Sequence, residues 1–242
     1  MKVATYTTHP KLQRKRIFMN FQEQTLLHTN ESILSTNQVL RKTYLLLAAT
    51  LLFSAITAGW SLVSGAQVMN PLLFIFGYFG LFFLTSALRK SPWGIVAVFA
   101  LTGFMGYSLG PILNFYITSF SNGSQLVMTA LGATGIIFLA LSAYALITKK
   151  DFSYLGAFIM VGILAAFILS LLTLFVNMPI LNILVSGAFV LLCSGLILFQ
   201  TSLIINGGER NYIMATVTLY VSLFNIFISL LQIFGAFGGN RN

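Results

Sequence analysis

The chain has 242 residues, of which 57% are hydrophobic and only 7% are charged. Soluble domains usually carry about a quarter charged residues, so this composition excludes a water-facing surface over most of the chain. The 13 Lys and Arg residues lie between apolar runs and do not form one stripe, so nucleic acid is not an expected partner. The lipid bilayer is therefore the expected solvent.

Seven apolar runs are long enough to cross a bilayer, since a helix needs about 20 apolar residues to span roughly 30 Å of hydrocarbon. The runs are 44–64, 71–88, 94–119, 125–148, 152–176, 179–205 and 211–237. The sequence therefore predicts an all-α integral membrane protein with seven transmembrane helices. We divide it into an N-terminal tail (1–42), a transmembrane domain (43–237) and a short C-terminal tail (238–242).

The positive residues flank alternate ends of these runs. Arg89 and Lys90 follow the second run, Lys149 and Lys150 follow the fourth, and Arg210 follows the sixth. Seven more precede the first run, so all Lys and Arg residues except Arg241 fall on one side. The positive-inside rule assigns that side to the cytoplasm, which predicts a cytoplasmic N-terminus and a C-terminus on the opposite side.

The N-terminal tail is polar and of mixed composition, so we expect it to stay unfolded or loosely attached to the membrane surface. Its basic cluster, Lys11, Arg14, Lys15 and Arg16, would attract anionic lipid. Met19 is an alternative start of translation that would remove this cluster.

The seventh run carries polar and small residues at helical spacing, and we call them the α7 stripe. Its members are Asn211, Ala215, Thr218, Ser222, Asn225, Ser229 and Gln232. Their spacing alternates between four and three residues, which places them on one helix face. A polar face of this length should contact other helices and not lipid. We favour hydrogen bonds between helices over a lined cavity, and we expect the Gln200 amide to bond Thr218 or Ser222.

No Asp, Glu, Lys, Arg or His lies well inside a run, so we predict no catalytic, metal or cofactor site and no enzyme activity. The serine-hydrolase pattern G-x-S-x-G occurs at residues 106–110, but the two histidines precede the first run and supply no base. Gly106 and Gly110 are better explained as a close-packing face that leads into a bend at Pro111.

Three segments together resemble the Bax-inhibitor family of seven-helix membrane proteins. They are GYSLGPIL at 106–113, LFQTSLIINGG at 198–208 and YIMATVTLYVSLFNIF at 212–227. The resemblance covers about residues 32–235, and it implies six helices surrounding a central seventh. Segments 34–44 and 220–225 are similar to the YccA-like bacterial branch, whose members modulate the membrane-anchored AAA protease FtsH.

The resemblance implies a regulatory protein of the bacterial inner membrane with a periplasmic C-terminus, which contacts FtsH and its associated membrane partners. We expect the protease to bind the tail while the helix bundle resists extraction, so that the protein is a slowly degraded competing substrate. The alternative is a channel or leak protein for a cation or small solute, lined by the seventh helix at Thr218, Ser222 and Asn225.

The chain departs from the family at one pair of positions. Many members carry an aspartate in the sixth helix and another in the seventh, and this pair is tied to pH-sensitive calcium leak. The matching positions here are Gln200 and Ser222. Neither side chain changes charge with pH, and neither is an anionic ligand for Ca²⁺. The resemblance therefore does not carry the calcium leak over to this chain.

Overall fold

The computed structural model describes residues 10–173 and 178–238, with side chains from residue 37 onward. Its long helices are α1 (Pro10–Val63), α2 (Pro71–Leu88), α3 (Trp93–Ser119), α4 (Gly123–Thr148), α5 (Gly156–Thr173), α6 (Pro179–Ile205) and α7 (Tyr212–Gly238). A short 3-10 turn, Ser153–Leu155, leads into α5. In this part of the chain, seven helices are long and apolar enough to cross a membrane, which confirms the predicted fold class.

The helix ends follow local sequence signals. Asn70 caps α2, because its side chain accepts a hydrogen bond of 2.9 Å from the backbone N–H of Leu72. Proline occupies the first turn of α2 and of α6, where its missing N–H costs nothing. Lys149 ends α4 with a φ of 49° and donates its backbone N–H to the Ala145 carbonyl.

The two ends of the helix bundle differ in charge. We call the end that carries Arg89, Lys90, Lys149, Lys150 and Arg210 the basic end, and the other the neutral end. The connections described at the neutral end, 64–70 and 120–122, contain no charged residue. Residues 239–242 of the predicted C-terminal tail lie outside the described chain, and Gly238 is the last residue of α7.

Helix α1 is much longer than a membrane span. It begins at Pro10, so the unfolded conformation that we expected for the tail is wrong for residues 10–42. Residues 11–58 contain neither Gly nor Pro, and nothing in them interrupts a helix. The segment apolar enough to cross the membrane is Asn37–Val63. Residues 10–36 therefore extend α1 by about 40 Å beyond its spanning part.

Helix α7 is the most buried of the seven spans. In its most apolar 18-residue window, 56% of the residues are buried, against 50% for α3 and 28% or less for the others. It packs against α1, α3, α4 and α6, while α2 packs mainly on α3 and α5 mainly on α6. The core around it includes Leu101, Met105, Ile197, Val217 and Leu231. Large apolar side chains on the outer surface, such as Phe76 and Leu184, are exposed because lipid is the solvent there.

Candidate functional site

The structure divides the α7 stripe into two parts. Towards the basic end, Ala215 and Ser222 are fully buried, and Thr218 is partly buried. Towards the neutral end, Asn225, Ser229 and Gln232 line a cavity. Asn211, which precedes α7, caps it, since its Oδ1 accepts hydrogen bonds of 3.1 Å from the backbone N–H groups of residues 213 and 214.

The positions that match the family's aspartate pair, Gln200 and Ser222, are both buried and lie on α6 and α7. The Ser222 hydroxyl donates to the Thr218 carbonyl at 2.8 Å, inside its own helix. Gln200 Nε2 is buried without a hydrogen-bond partner among the described residues. The expected bond from Gln200 to Thr218 or Ser222 is therefore not formed.

The cavity beside α7 has a volume of about 400 Å³, and we call it the neutral-end cavity. It is bounded by the neutral-end halves of α2, α3, α5, α6 and α7. Its polar lining residues are all uncharged: Ser108, Ser170, Thr173, Asn182, Ser186, Asn225, Ser229 and Gln232. The one hydrogen bond between helices in this set joins Ser186 Oγ to Gln232 Oε1, at 2.5 Å.

Close packing lies between this cavity and the basic end. Met105 on α3, Cys193 on α6 and Leu219 and Tyr220 on α7 are each 3% exposed or less. These residues belong to one hydrophobic cluster, so their side chains leave no continuous polar path along α7. The α7 stripe therefore lines a cavity on the neutral-end side of this layer and is closely packed on the basic-end side.

A polar contact inside that layer was missed by the sequence analysis. The Tyr220 hydroxyl donates to the Thr102 carbonyl at 3.1 Å and lies 2.6 Å from Ser54 Oγ. Since a carbonyl only accepts, the Ser54 hydroxyl donates to Tyr220. This chain of bonds joins α1, α7 and α3. Tyr220 falls outside the stripe, and no spacing pattern in the sequence pairs it with a residue 166 positions away.

Gly106 and Gly110 lie where α3 meets α1. A Cβ atom at Gly106 would lie 2.6 Å from Ser54 Oγ, and one at Gly110 would lie 2.7 Å from the backbone nitrogen of Leu62. Both distances are shorter than van der Waals contact, so the two helices approach closely because these residues have no side chain. Pro111 is buried inside α3, which continues to Ser119.

A second cavity opens between α1 and α4 and has a volume of about 390 Å³. Its lining is almost entirely apolar, and the Ser54 and Tyr220 hydroxyls that reach it bond one another. We call it the α1–α4 groove.

The chemistry of the described side chains is that of packing and neutral hydrogen bonding. Ser108, the serine of the hydrolase-like pattern, lies within α3 and donates to the Met105 carbonyl at 2.6 Å. Within the described ranges, no group of three or more His, Cys, Asp or Glu side chains is placed to hold a metal ion.

Comparison with known proteins supports the resemblance to the Bax-inhibitor family. The family described as inhibitor of apoptosis-promoting Bax1 matches residues 36–239. An uncharacterised protein of Pseudomonas aeruginosa is 53% identical over 171 residues, which are 71% of this chain and 77% of that protein. The modulator of FtsH protease YccA of Escherichia coli is 49% identical over 164 residues, 68% of this chain and 74% of that protein. An uncharacterised membrane protein of Vibrio cholerae is 42% identical over 160 residues, 66% of this chain and 71% of that protein.

The family match covers most of the chain and includes all seven spanning segments. The segments that carry the resemblance, 106–113, 198–208 and 212–227, lie in or beside α3, α6 and α7, which form much of the buried core. The chain therefore belongs to the Bax1-inhibitor family of multi-pass membrane proteins.

Proposed function

We propose that this protein is a non-enzymatic modulator of the membrane protease FtsH, acting by protein contact in the bacterial inner membrane. The observation that carries the proposal is its 49% identity to the Escherichia coli protein named as a modulator of FtsH protease. The identity extends over 68% of this chain and about three quarters of that relative.

In this proposal the basic end of the bundle faces the cytoplasm and the C-terminus faces the periplasm. The support is the distribution of charge, because every Lys and Arg except Arg241 precedes residue 43 or lies in a basic-end connection. The N-terminal part of α1 then lies on the cytoplasmic side, together with the domains that a membrane AAA protease uses to unfold its substrates.

The long extension of α1 supplies a segment that a protease can bind. Residues 10–36 are polar and of mixed charge, and they continue the α1 helix by about 40 Å outside the span. A segment of this length reaches well beyond the lipid headgroups, where the protease is able to bind it without entering the membrane.

The bundle behind the extension resists extraction. Pulling on the extension would draw α1 out first, yet α1 is held by buried contacts along its length. The Thr43 carbonyl lies 3.2 Å from the Thr216 hydroxyl, which also bonds the Tyr212 carbonyl at 2.7 Å, and Ser54 is bonded to Tyr220. Thr43, Leu47 and Thr50 are at most 2% exposed. The protease therefore stays occupied by this protein, and the degradation of other substrates is delayed.

The alternative, a channel along α7, is not favoured. A conduit needs polar or water-filled space through the whole span, whereas Tyr220, Leu219 and Ser222 are buried in close packing at mid-helix. The stripe lines a cavity only towards the neutral end.

The proposal is tested by measuring the half-life of a membrane-protein substrate of FtsH in cells that lack their own relative of this protein. Production of the full chain should lengthen the half-life. A chain that begins at Ser35 should fail to do so while remaining folded, as judged by an unchanged melting temperature.

Two results would contradict different parts of the proposal. An unchanged half-life with the full chain contradicts FtsH modulation itself. Equal lengthening by the full and shortened chains contradicts only the role of the α1 extension. A full-length variant with Lys11, Arg14, Lys15 and Arg16 replaced by Gln is the matched control, since it keeps the length and loses the attraction to anionic lipid.

A further inference from the structure

The neutral-end cavity contains hydrogen-bonding groups that the protein itself does not use. The Ser229 side chain is 5% exposed, and its hydroxyl has no partner among the described residues although it lines the cavity. Asn225 donates from Nδ2 to the Val221 carbonyl at 2.8 Å, which leaves its Oδ1 as a free acceptor. The Asn182 side-chain amide lines the cavity from α6, also without a partner in the described chain.

Two of these groups, those of Ser229 and Asn225, lie at membrane depth. Counted from the end of α7 at Gly238, Ser229 is about 13 Å and Asn225 is about 20 Å inside the helix. Unpaired hydrogen-bonding groups are costly at this depth, because lipid offers no replacement for water. The cavity therefore requires an occupant with polar atoms.

The lining excludes a charged occupant. The lining residues that the structure describes include no Asp, Glu, Lys, Arg or His, so no side chain among them neutralises an ion. A bound metal cation would lack the anionic oxygen ligands that Ca²⁺ and Mg²⁺ prefer, and a bound anion would lack a basic partner. Since an unpaired charge is very unfavourable in apolar surroundings, the occupant is uncharged.

The cavity also has an apolar wall. Among the described residues four phenylalanines line it, Phe74, Phe167, Phe189 and Phe224, one each from α2, α5, α6 and α7. The Phe74 ring is held in place by stacking on Phe104, with 5.7 Å between the ring centroids. A volume of about 400 Å³ with an apolar wall and a few convergent polar groups is typical of a small-molecule site.

We propose that the neutral-end cavity binds an uncharged small amphiphile. Its hydrogen-bonding group contacts Asn225, Ser229 and Gln232, and its apolar part packs against the phenylalanine rings. Binding takes place from the neutral end of the bundle, because Met105 and Cys193 lie buried in the hydrophobic cluster on the side of the basic end. This site is independent of FtsH modulation, and its failure would leave that proposal unaffected.

The first measurement compares thiol reagents of different charge. The full chain with Cys193→Ala carries one new cysteine, Ser229→Cys, and is reconstituted in lipid nanodiscs. Methanethiosulfonates react with the thiolate, so modification requires contact with water. The reagents are neutral methyl methanethiosulfonate, its cationic trimethylammonium-ethyl analogue and its anionic sulfonatoethyl analogue. Each modification rate is divided by the rate of the same reagent at Ser124→Cys, an exposed position at the start of α4. Ile228→Cys, which also lines the cavity, serves if Ser229→Cys folds poorly.

We expect the neutral reagent to modify Ser229→Cys at least about tenfold faster than either charged reagent, because the cavity offers a charge no partner. The second measurement adds a matched set of probes, benzamide, benzoate and benzylammonium. Benzamide should slow the modification of Ser229→Cys and leave that of Ser124→Cys unchanged, and the two charged probes should have no effect.

Three results would overturn the proposal. Equal normalised rates for all three reagents would show a vestibule open to ions. No modification by any reagent would show a cavity closed to small molecules. Selective modification by the neutral reagent without protection by benzamide would show a cavity that holds only water.

Discussion

Ser54 Oγ lies 2.6 Å from the hydroxyl oxygen of Tyr220, and this contact joins α1 to α7 at the centre of the bundle. Tyr220 in turn donates to the Thr102 carbonyl of α3 at 3.1 Å. One buried tyrosine therefore links the most buried helix to two neighbours. It also belongs to the hydrophobic cluster that interrupts the polar face of α7, so it bears on both stability and the lack of a continuous polar path along the helix.

We predict that Tyr220→Phe lowers the free energy of unfolding by about 1–3 kcal/mol, because the Ser54 hydroxyl and the Thr102 carbonyl lose a buried partner. Thermal unfolding of the purified protein in detergent measures the effect. In a double-mutant cycle with Ser54→Ala, the two changes should be less than additive. Tyr144→Phe, at a partly exposed tyrosine, is the control. Equal stability of Tyr220→Phe and Tyr144→Phe would show that the contact does not hold the helices together.

The approach of α1 to α3 depends on two glycines. Gly106→Ala and Gly110→Ala should each destabilise the bundle by about 1–3 kcal/mol, because the new methyl group meets α1 at less than van der Waals distance. Gly132→Ala on α4 is the matched control, since nothing lies within 4 Å of its Cβ position and Ala favours a helix more than Gly does. The melting temperatures of the three variants measure the destabilisation. A similar decrease in all three would refute the close-packing role of Gly106 and Gly110.

The buried, unpaired amide of Gln200 should lower the free energy of unfolding of the protein. Gln200→Leu removes a buried Nε2 without a hydrogen-bond partner and fills a similar volume, so we expect a stabilisation of about 1 kcal/mol. Gln125→Leu, at an exposed position of α4, should leave stability nearly unchanged. A marked loss of stability in Gln200→Leu would mean that the amide has a partner in the membrane.

Seven spans were predictable because each needs a long apolar run, and the runs at 71–88 and 179–205 match α2 and α6 residue for residue. The burial of α7 was predictable from its stripe, since a polar face avoids lipid. The division of that stripe into a packed part and a cavity-lining part was not predictable from the sequence. It arises because α2 packs on α3 and α5 packs on α6, which leaves space beside Asn225 and Ser229. The tail's polarity indicated that it lies outside the membrane, but it carried no information on whether the backbone is helical.

Asp151, in the connection before α5, should titrate at an unusually low pH. Hydrogen bonds from the Ser153 side chain and from its backbone N–H, at 2.8 Å, hold the pKa of the Asp151 carboxyl below its usual 3.8. A lowered pKa in the folded state stabilises the fold above the unfolded pKa, and this stabilisation is lost as the pH falls through the folded value. Carboxyl ¹³C chemical shifts in a pH titration measure it. Ser153→Ala should raise the pKa, and an unchanged value would contradict the assigned cause.

The orientation of the bundle is open to a direct test. Single cysteines at Ser91, beside Lys90, and at Ser124, near the neutral end, are compared in intact spheroplasts with a membrane-impermeant maleimide. We expect labelling at Ser124→Cys only, because the basic end faces the cytoplasm. Labelling at Ser91→Cys alone would reverse the orientation and remove the α1 extension from the protease's compartment.

The contact with FtsH is tested most directly by photocrosslinking in native membranes. A photoreactive residue is placed at position 24, in the α1 extension, or at Leu184, which is exposed on the outer surface of α6. The account predicts that FtsH is the main protein crosslinked from position 24 and is absent or minor from Leu184. If position 24 yields no FtsH adduct while the full chain still folds and inserts, the α1 extension is not where the protease binds, and the proposed mechanism is wrong.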